Sequence, residues 1–403
     1  MSPPYALRGK SAKDVIAVIG FSSGTTGKIK GVTLSHYNLN AAVHQLRIAM
    51  PERANSANKE VWFPPCGCRI PRFVLYFYLP WSNRISRTDC HIYGMCMVTL
   101  LNMWVGGFIY GLESFDLDLY CKKIEEHKAN EMHIVPPVAI QLVNSPNLGN
   151  YDLSSIRVIN VAAAPLKKLL QSALRRKFPG VHVTQLYGST EGTGVITAQR
   201  FDTDDTNGCV GKLLSGIDGR VVDPITKQDV PCGEEGELWV RGPNMMMGYH
   251  SNEAATKESF EAAWQRTGDL VKVDQKGNVW VVDRLKEMIK YKGFQVPPSE
   301  LEDLLMMHPL ITDAAVTSVY SDEQATELPI AYVTLTPEKA TAPADEIRLA
   351  LDSIRSWADR RVAGFKKLRG GVYHLQTLPR NPSGKILRKD LPCNKKEDRY
   401  ALL

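Results

Sequence analysis

The sequence has few of the features that would assign it to a metal, membrane or dinucleotide class. Its 8 cysteines form no CxxC pair and no His/Cys cluster at metal-ligand spacing, which excludes a zinc ribbon and fits a reducing compartment. Cys66 and Cys68, one residue apart, suit neither a zinc knuckle nor a comfortable disulfide. No apolar run approaches the roughly 20 residues of a membrane-spanning helix. MSPPYALRGK lacks the apolar core of a secretory signal, and Tyr400-Ala401-Leu402-Leu403 is not a Ser-Lys-Leu peroxisomal address. A cytoplasmic location is the expectation. There is no GxGxxG, no internal repeat, no low-complexity tract and no recognised RNA- or DNA-binding motif. The net charge of +6 is mild, although basic residues crowd Arg355 to Lys389, where Asp359 is the lone acid. Phosphate-bearing small molecules account for that crowding as well as nucleic acid does, and no nucleic-acid partner is expected.

What is present begins with FSSGTTGKIKGV at Phe21 to Val32. It follows a β-branched apolar segment, Asp14 to Gly20, that reads as a buried strand, and it precedes Ser35 to Ile48, which reads as a helix. Gly24 and Gly27 let the backbone turn its N–H groups toward an anion. Ser22, Ser23, Thr25 and Thr26 add hydroxyl donors, and Lys28 or Lys30 supplies charge. The polyphosphate of a nucleotide suits such a loop. It is no Walker loop, because the glycines are too close and Ile29 stands where a magnesium-binding hydroxyl belongs. A solvated Gly/Ser/Thr turn is the plainer alternative.

Apolar runs at Glu131 to Val135, Ile156 to Val161 and His182 to Leu186 alternate with helical stretches such as Asp116 to Lys128 and Leu166 to Phe178, the pattern of a parallel α/β sheet. From Gly208 the texture turns to short alternating strands with Gly, Pro and Asp turns. The Met245 to Met247 run reads as apolar packing. After Asp283 it changes again, with a helix at Pro298 to His308 and strands at Ala314 to Val319 and Ile330 to Thr336. The expected domains are residues 1–283, with a β-rich subdomain at 208–283, and residues 284–403.

Further segments follow in order: VAAAPL, QLYGSTEG, GELWVRGPNMMMGY, WQRTGDL, VDRLKEMIKYKGFQVPPSELE and PRNPSGKILRKDL. With these the chain resembles the adenylate-forming acyl-CoA synthetases, in the branch of the 4-coumarate:CoA ligases and firefly luciferases, from about Asp14 to Leu391. The resemblance implies an α/β fold with a large N-terminal domain, partial here, and a small mobile α+β C-terminal domain. It also implies two steps: a carboxylate attacks the α-phosphorus of ATP to give acyl-AMP, and coenzyme A then displaces AMP. Glu191 would meet Mg2+, Tyr187 would stack on adenine with Gly188 also binding the nucleotide, and Thr190 would bond the α-phosphate. Asp269 and Arg284 would hold the ribose, with Lys286 at the hinge. Lys385 would serve adenylation. Lys290 and Gln295 would serve the thioester step after rotation, with Lys292 and Gly293 lining the coenzyme A tunnel. His91 and Tyr93 match an acyl-pocket motif, and Ala162, Ala163 and Ala164 would form a wall of small side chains. Aryl-propenoic or medium-chain fatty acids are the implied substrates.

The chain also departs from that pattern. Family members carry a long region before the phosphate loop, so part of the sheet and pocket is expected to be absent. Lys28-Ile29 replaces Leu-Pro, leaving Lys30 as the matching lysine, and Leu186 replaces a glycine before Tyr187. Between Phe63-Pro64-Pro65 and Asp89 stands Cys66 to Thr88, rich in arginine and aromatics and free of acid. A translated non-coding stretch fits that abrupt shift better than a substrate-specific loop. A weak or inactive enzyme is therefore the expectation for the chain as given. The alternatives are an inactive nucleotide-binding fragment and a luciferase-like oxygenase.

Overall fold

The computed structural model of the chain describes residues 7, 9–22, 29–50, 92–105, 115–164, 166, 168–200, 208–380 and 385–394. The segment from Cys66 to Thr88 lies outside them. The chain divides into two compact units: of the described residues, the first holds those up to 267 and 272–281, the second 268–271 and those from 282 onward.

The first unit opens with an antiparallel hairpin of β1 (Ile16–Ser22) and β2 (Lys30–Ser35). This corrects two expectations. A second strand stands between the first strand and the helix, because Val32, Thr33 and Leu34 are β-branched or apolar enough to pair as a strand of their own. Nor is β1 a buried strand. It sits at the edge of a three-stranded sheet, and Ile16, Ile19 and Phe21 are exposed. From β2 the chain enters α1 (His36–Ala49) through a capping box: Asn38 N–H donates to Ser35 Oγ at 3.1 Å and Ser35 N–H to Asn38 Oδ1 at 2.9 Å. Such a cap stabilises a helix by about 1 kcal/mol. The Asn38 side-chain amide also donates to the carbonyls of Pro243 and Met245, at 2.8 and 2.7 Å, which ties the helix to a segment two hundred positions away.

A helical stretch, 92–105, follows, of which Gly94–Leu100 is π-helix. Next comes α/β alternation: α2 (Leu117–His127), β3 (Glu131–Ile134), α3 (Pro136–Asn144), β4 (Val158–Val161), α4 (Lys168–Lys177) and β5 (His182–Tyr187). The three strands run parallel, with Met132 opposite Ile159 and Ile159 opposite Val183. One face of them packs Met132, Ile134, Ile159, Val161 and Val183 against Tyr120, Ile124, Leu142, Leu174 and Phe178. Glu131, His133, Asn160 and Thr184 alternate with those residues along the strands, and they are buried too. Two short strands, β6 (Thr197–Ala198) and β7 (Lys212–Leu213), extend the sheet antiparallel.

The β-rich texture is real: β8 (Asp218–Val222), β9 (Glu235–Arg241), β10 (Gly248–Tyr249), β11 (Phe260–Glu261), β12 (Trp264–Val273) and β13 (Val279–Arg284). Their sheet order is β11-β12-β9-β8 with β13 on β12, while β10 pairs back onto β2. Met245 and Met246 pack as the sequence suggests, but Met247 is exposed.

The second unit begins with a hairpin, β14 (Ile289–Tyr291) and β15 (Phe294–Val296). Its two turn residues, Lys292 at φ 46° and Gly293 at φ 85°, are both left-handed, as the tightest hairpin turns require. After α5 (Pro298–Leu305) come β16 (Ile311–Ser321) and β17 (Thr326–Leu335), antiparallel, then α6 (Ala344–Asp359) and β18 (Val372–His374), parallel to β17. Val296, Leu301, Leu305, Val316, Val333 and Ile354 share its core. Part of the basic crowding seen in the sequence is neutralised here. Lys366 pairs with Glu300 at 2.6 Å, Arg380 with Asp313 at 2.8 Å, and Arg388 with Glu302 at 2.8 Å and with Glu287. Among the described residues, no helix is long and apolar enough to cross a membrane.

Candidate functional site

In parallel α/β sheets, ligands gather at the carboxyl ends of the strands. At that end of β4 stand Ala162, Ala163 and Ala164, and at that end of the neighbouring β5 stands the run from Tyr187 to Glu191. Ala163 adopts φ 74°, a left-handed conformation that costs a residue with a Cβ. Strain of this kind persists only where the surroundings enforce it, and it concentrates at sites of function.

The turn after β5 folds back on itself. Gly194 N–H donates to Ser189 O at 3.0 Å, Gly192 N–H to Ser189 Oγ at 3.0 Å, and Ile196 N–H to Tyr187 O at 2.8 Å. Gly188 has no alternative here, since a Cβ on it would lie 1.7 Å from the Gly194 carbonyl oxygen. β1 passes beside the turn so closely that a Cβ on Gly20 would stand 3.0 Å from Thr190 Cγ2.

Glu191 is held at both ends. Its carbonyl accepts from Met246 N–H at 2.8 Å, and its Oε1 accepts from the Tyr249 hydroxyl at 3.0 Å. Lys30, the last paired residue of the hairpin and opposite Ser22, places its ammonium 4.6 Å from the centroid of the Tyr249 ring. Burial and the neighbouring Glu191 carboxylate push the Tyr249 phenol above its ordinary range, so it is a donor at any physiological pH. The structure thus brings together Lys30, Thr190, Glu191 and Tyr249 from β2, the turn after β5, and β10. Ser22 Oγ is buried with no hydrogen-bond partner among the described residues. Ser23, Gly24, Thr25, Thr26 and Gly27 lie outside the described residues, as does His91.

Tyr93 stands at the start of the π-helix, its hydroxyl 2.5 Å from His133 Nδ1. That helix packs beside the turn after β5: a Cβ on Gly194 would lie 3.6 Å from Cys96 Cβ. Burial pushes the Cys96 thiol up to about 12, which removes it as a nucleophile.

In the second unit, Arg284 Nε lies 3.5 Å from Asp269 Oδ1, so these two predicted residues do meet. Asp283 is buried and structural, accepting from Arg284 N–H at 2.8 Å and Ser299 N–H at 2.9 Å. Lys286 is exposed in the turn after β13. Lys290 and Gln295 face each other directly across the β14–β15 hairpin, and Lys292 and Gly293 form its turn. Lys290 N–H donates to Glu327 Oε2 at 2.7 Å, and Lys292 N–H donates to Thr326 Oγ1 at 2.7 Å. Lys385 precedes Ile386, which bridges to Arg380, while Leu387 N–H donates to Pro379 O at 2.8 Å.

Sequence reasoning did not single out Tyr249, although it closes the MetMetMetGlyTyr run of a recognised segment. It also passed over the buried polar row on β3, β4 and β5.

A parallel sheet with tight glycine-containing turns at its carboxyl end, and a separate α+β unit carrying an exposed lysine hairpin, match the α/β architecture of adenylate-forming enzymes. Residues 6–250 match the family profile described as AMP-binding enzyme, and residues 300–385 match that of the AMP-binding enzyme C-terminal domain. The chain belongs to the AMP-binding enzyme family. It is similar to peroxisomal OPC-8:0-CoA ligase 1 of Arabidopsis thaliana, 38% identical over 383 residues, covering 94% of this chain and 64% of that protein. With 4-coumarate:CoA ligase 1 of Petunia hybrida the identity is 35% over 387 residues, covering 95% and 65%. The crystal structure of ATP-bound MatB from Rhodopseudomonas palustris superposes with a TM-score of 0.79 at 28% identity, covering 95% of this chain and 68% of that one. The chain therefore spans just under two thirds of the length of these two curated relatives.

Proposed function

We propose that the chain carries the chemistry of an ATP-dependent carboxylic acid:CoA ligase, forming acyl-AMP and then acyl-CoA. The observation that carries this reading is the convergence of Lys30, Thr190, Glu191 and Tyr249 at the carboxyl end of β5. An ammonium, a hydroxyl and a carboxylate brought together in this way are what a nucleotide polyphosphate with its cation requires. Among the described residues no group of three or more His, Cys, Asp and Glu could hold a metal unaided. Glu191 fits Mg2+ as a single hard oxygen ligand, with phosphate oxygens of ATP supplying further ones. When bound, the ion would neutralise phosphate charge. Lys30 would pair with a phosphate and Thr190 donate to the α-phosphate, with Tyr187 and Gly188 against adenine. Asp269 and Arg284 would take the ribose hydroxyls.

For the acid, Tyr93 and the Ala162 to Ala164 wall form the proposed pocket, and small walls accommodate a flat ring or a chain. Relatives named for 4-coumarate and for OPC-8:0 support aryl-propenoic and fatty acids as the classes to test. Pyrophosphate release measured with ATP, Mg2+ and a panel of carboxylic acids, followed by thioester formation with coenzyme A, decides the proposal. No acid-dependent release from the purified chain would overturn it.

Two predictions test the nucleotide site separately. Asp269→Ala is expected to raise the KM for ATP by tenfold or more, since hydrogen bonds to an ionised acceptor are the strong ones. An unchanged KM would reassign Asp269 to its ion pair with Arg284. Tyr249→Phe keeps the ring under Lys30 but removes the donor to Glu191. A charge-assisted bond of roughly 2 kcal/mol corresponds to a loss of about tenfold or more in affinity for Mg·ATP. A calorimetric titration that gave equal affinities would dismiss Tyr249 as packing.

A further inference from the structure

We propose that Glu131, His133, Asn160 and Thr184 form a positioning network that fixes the Tyr93 phenol and thereby sets selectivity for the acyl group. The proposal rests on the reading of Tyr93 as an acyl-pocket residue. Its starting point is an anomaly of burial: all four network residues are polar, and none is more than 5% exposed. Buried polar groups are unfavourable unless each finds a partner.

Here they are partnered in a consistent direction. His133 Nε2 lies 3.2 Å from Glu131 Oε2, and a carboxylate accepts, so Nε2 carries the proton. The Asn160 side-chain nitrogen stands 3.2 Å from the same Nε2 but cannot donate to a protonated nitrogen. It donates instead to Glu131 Oε2 at 3.3 Å, while Asn160 Oδ1 accepts from the Thr184 hydroxyl at 2.8 Å. With one proton, committed at Nε2, the imidazole presents only a lone pair at Nδ1. The Tyr93 hydroxyl, 2.5 Å away, donates into it. The row spans three adjacent strands, with His133 opposite Asn160 and Asn160 opposite Thr184, so its geometry is set by the sheet rather than by loops.

The other end of the relay is equally placed. Tyr93 immediately precedes the π-helical turns Gly94–Leu100, and such turns recur at functional sites. The same helix borders the turn after β5 through Cys96 and Gly194. A phenol pinned from below at its hydroxyl presents one fixed ring orientation to the acyl group. Without the pin the ring could re-orient, and discrimination between flat and flexible acyl chains should relax.

The test is a double-mutant cycle of Tyr93→Phe and His133→Phe, read by calorimetry with cinnamoyl and octanoyl sulfamoyl-adenosine as stable acyl-adenylate mimics and with AMP as the reference. Each single variant is expected to change the ratio of the two acyl affinities by about fivefold to tenfold, and the double variant to do no more than either single. AMP affinity should stay constant. Additive effects in the cycle, or a parallel loss of AMP binding, would overturn the proposal by reducing the row to structural packing. Wild-type affinity for both acyl mimics no better than for AMP would overturn it as well. If His133→Phe fails to fold, His133→Gln with Tyr93→Phe supplies the same cycle. Failure of the ligase reading shows up differently, as absent pyrophosphate release with the acyl cycle intact.

Discussion

Lys385→Ala is expected to lower acyl-adenylate formation by at least about a hundredfold, the scale on which removing one charge-stabilising donor acts, while thioester formation from supplied acyl-AMP continues. Lys290→Ala is expected to give the reverse. The adenylation step gathers charge at an α-phosphate under attack by a carboxylate, which a compact ammonium on a flexible stem can match. The backbone just after Lys385 is held by the Arg380–Ile386 bridge and the Leu387 to Pro379 hydrogen bond. Lys290 sits elsewhere in the same unit, on a hairpin whose turn and backbone are tied to Thr326 and Glu327 and whose opposite residue is Gln295. Two lysines mounted on separate elements are suited to separate steps. Both half-reactions can be followed independently, by pyrophosphate release and by thiol consumption. Matching losses in both for either variant would show that the lysines share one step, and the division of labour would be wrong.

How far such reasoning could proceed from sequence depended on whether a segment's fate was set locally. The parallel strands β3, β4 and β5 were legible because apolar runs bounded by helix signals admit little else, and Asp116 and Ser35 marked helix starts through caps that the structure contains. The pairing of β2 with β10 was not legible. Gly248 and Tyr249 form a strand of two residues, and only contact with Val32 and Thr33, far away in the chain, makes it one. Tyr249 therefore looked like the end of a methionine run rather than the partner of Glu191. The row on β3 to β5 was passed over for the opposite reason. Glu-Met-His-Ile alternates polar with apolar, the pattern of a strand with one face in water, yet both faces are covered and the polar face is satisfied from within. Basic crowding near the end of the sequence gave no sign that Glu300, Glu302 and Asp313 would neutralise three of its cations.

Gly188→Ala is expected to abolish nucleotide binding and to destabilise the first unit. The added methyl carbon would fall 1.7 Å from the Gly194 carbonyl oxygen and 2.8 Å from Val195 Cα, and both obstacles are backbone atoms that no rotamer change can move. Relief must come from displacing the turn itself, with loss of the Gly194 to Ser189 and Ile196 to Tyr187 hydrogen bonds that shape it. Overpacking of a tight site costs about 1–3 kcal/mol and can cost more where the neighbour is rigid. The displaced turn carries Thr190 and Glu191, so the functional loss should exceed what the stability loss alone explains. Gly192→Ala is the control. Its Cβ would meet the Ile196 side chain at 2.7 Å, an obstacle of branched carbon that can partly swing aside. Thermal unfolding with and without Mg·ATP should therefore show an ATP-induced shift that disappears for Gly188→Ala and survives, reduced, for Gly192→Ala. A Gly188→Ala protein that bound ATP normally would mean that the turn after β5 is not the seat of the nucleotide phosphates.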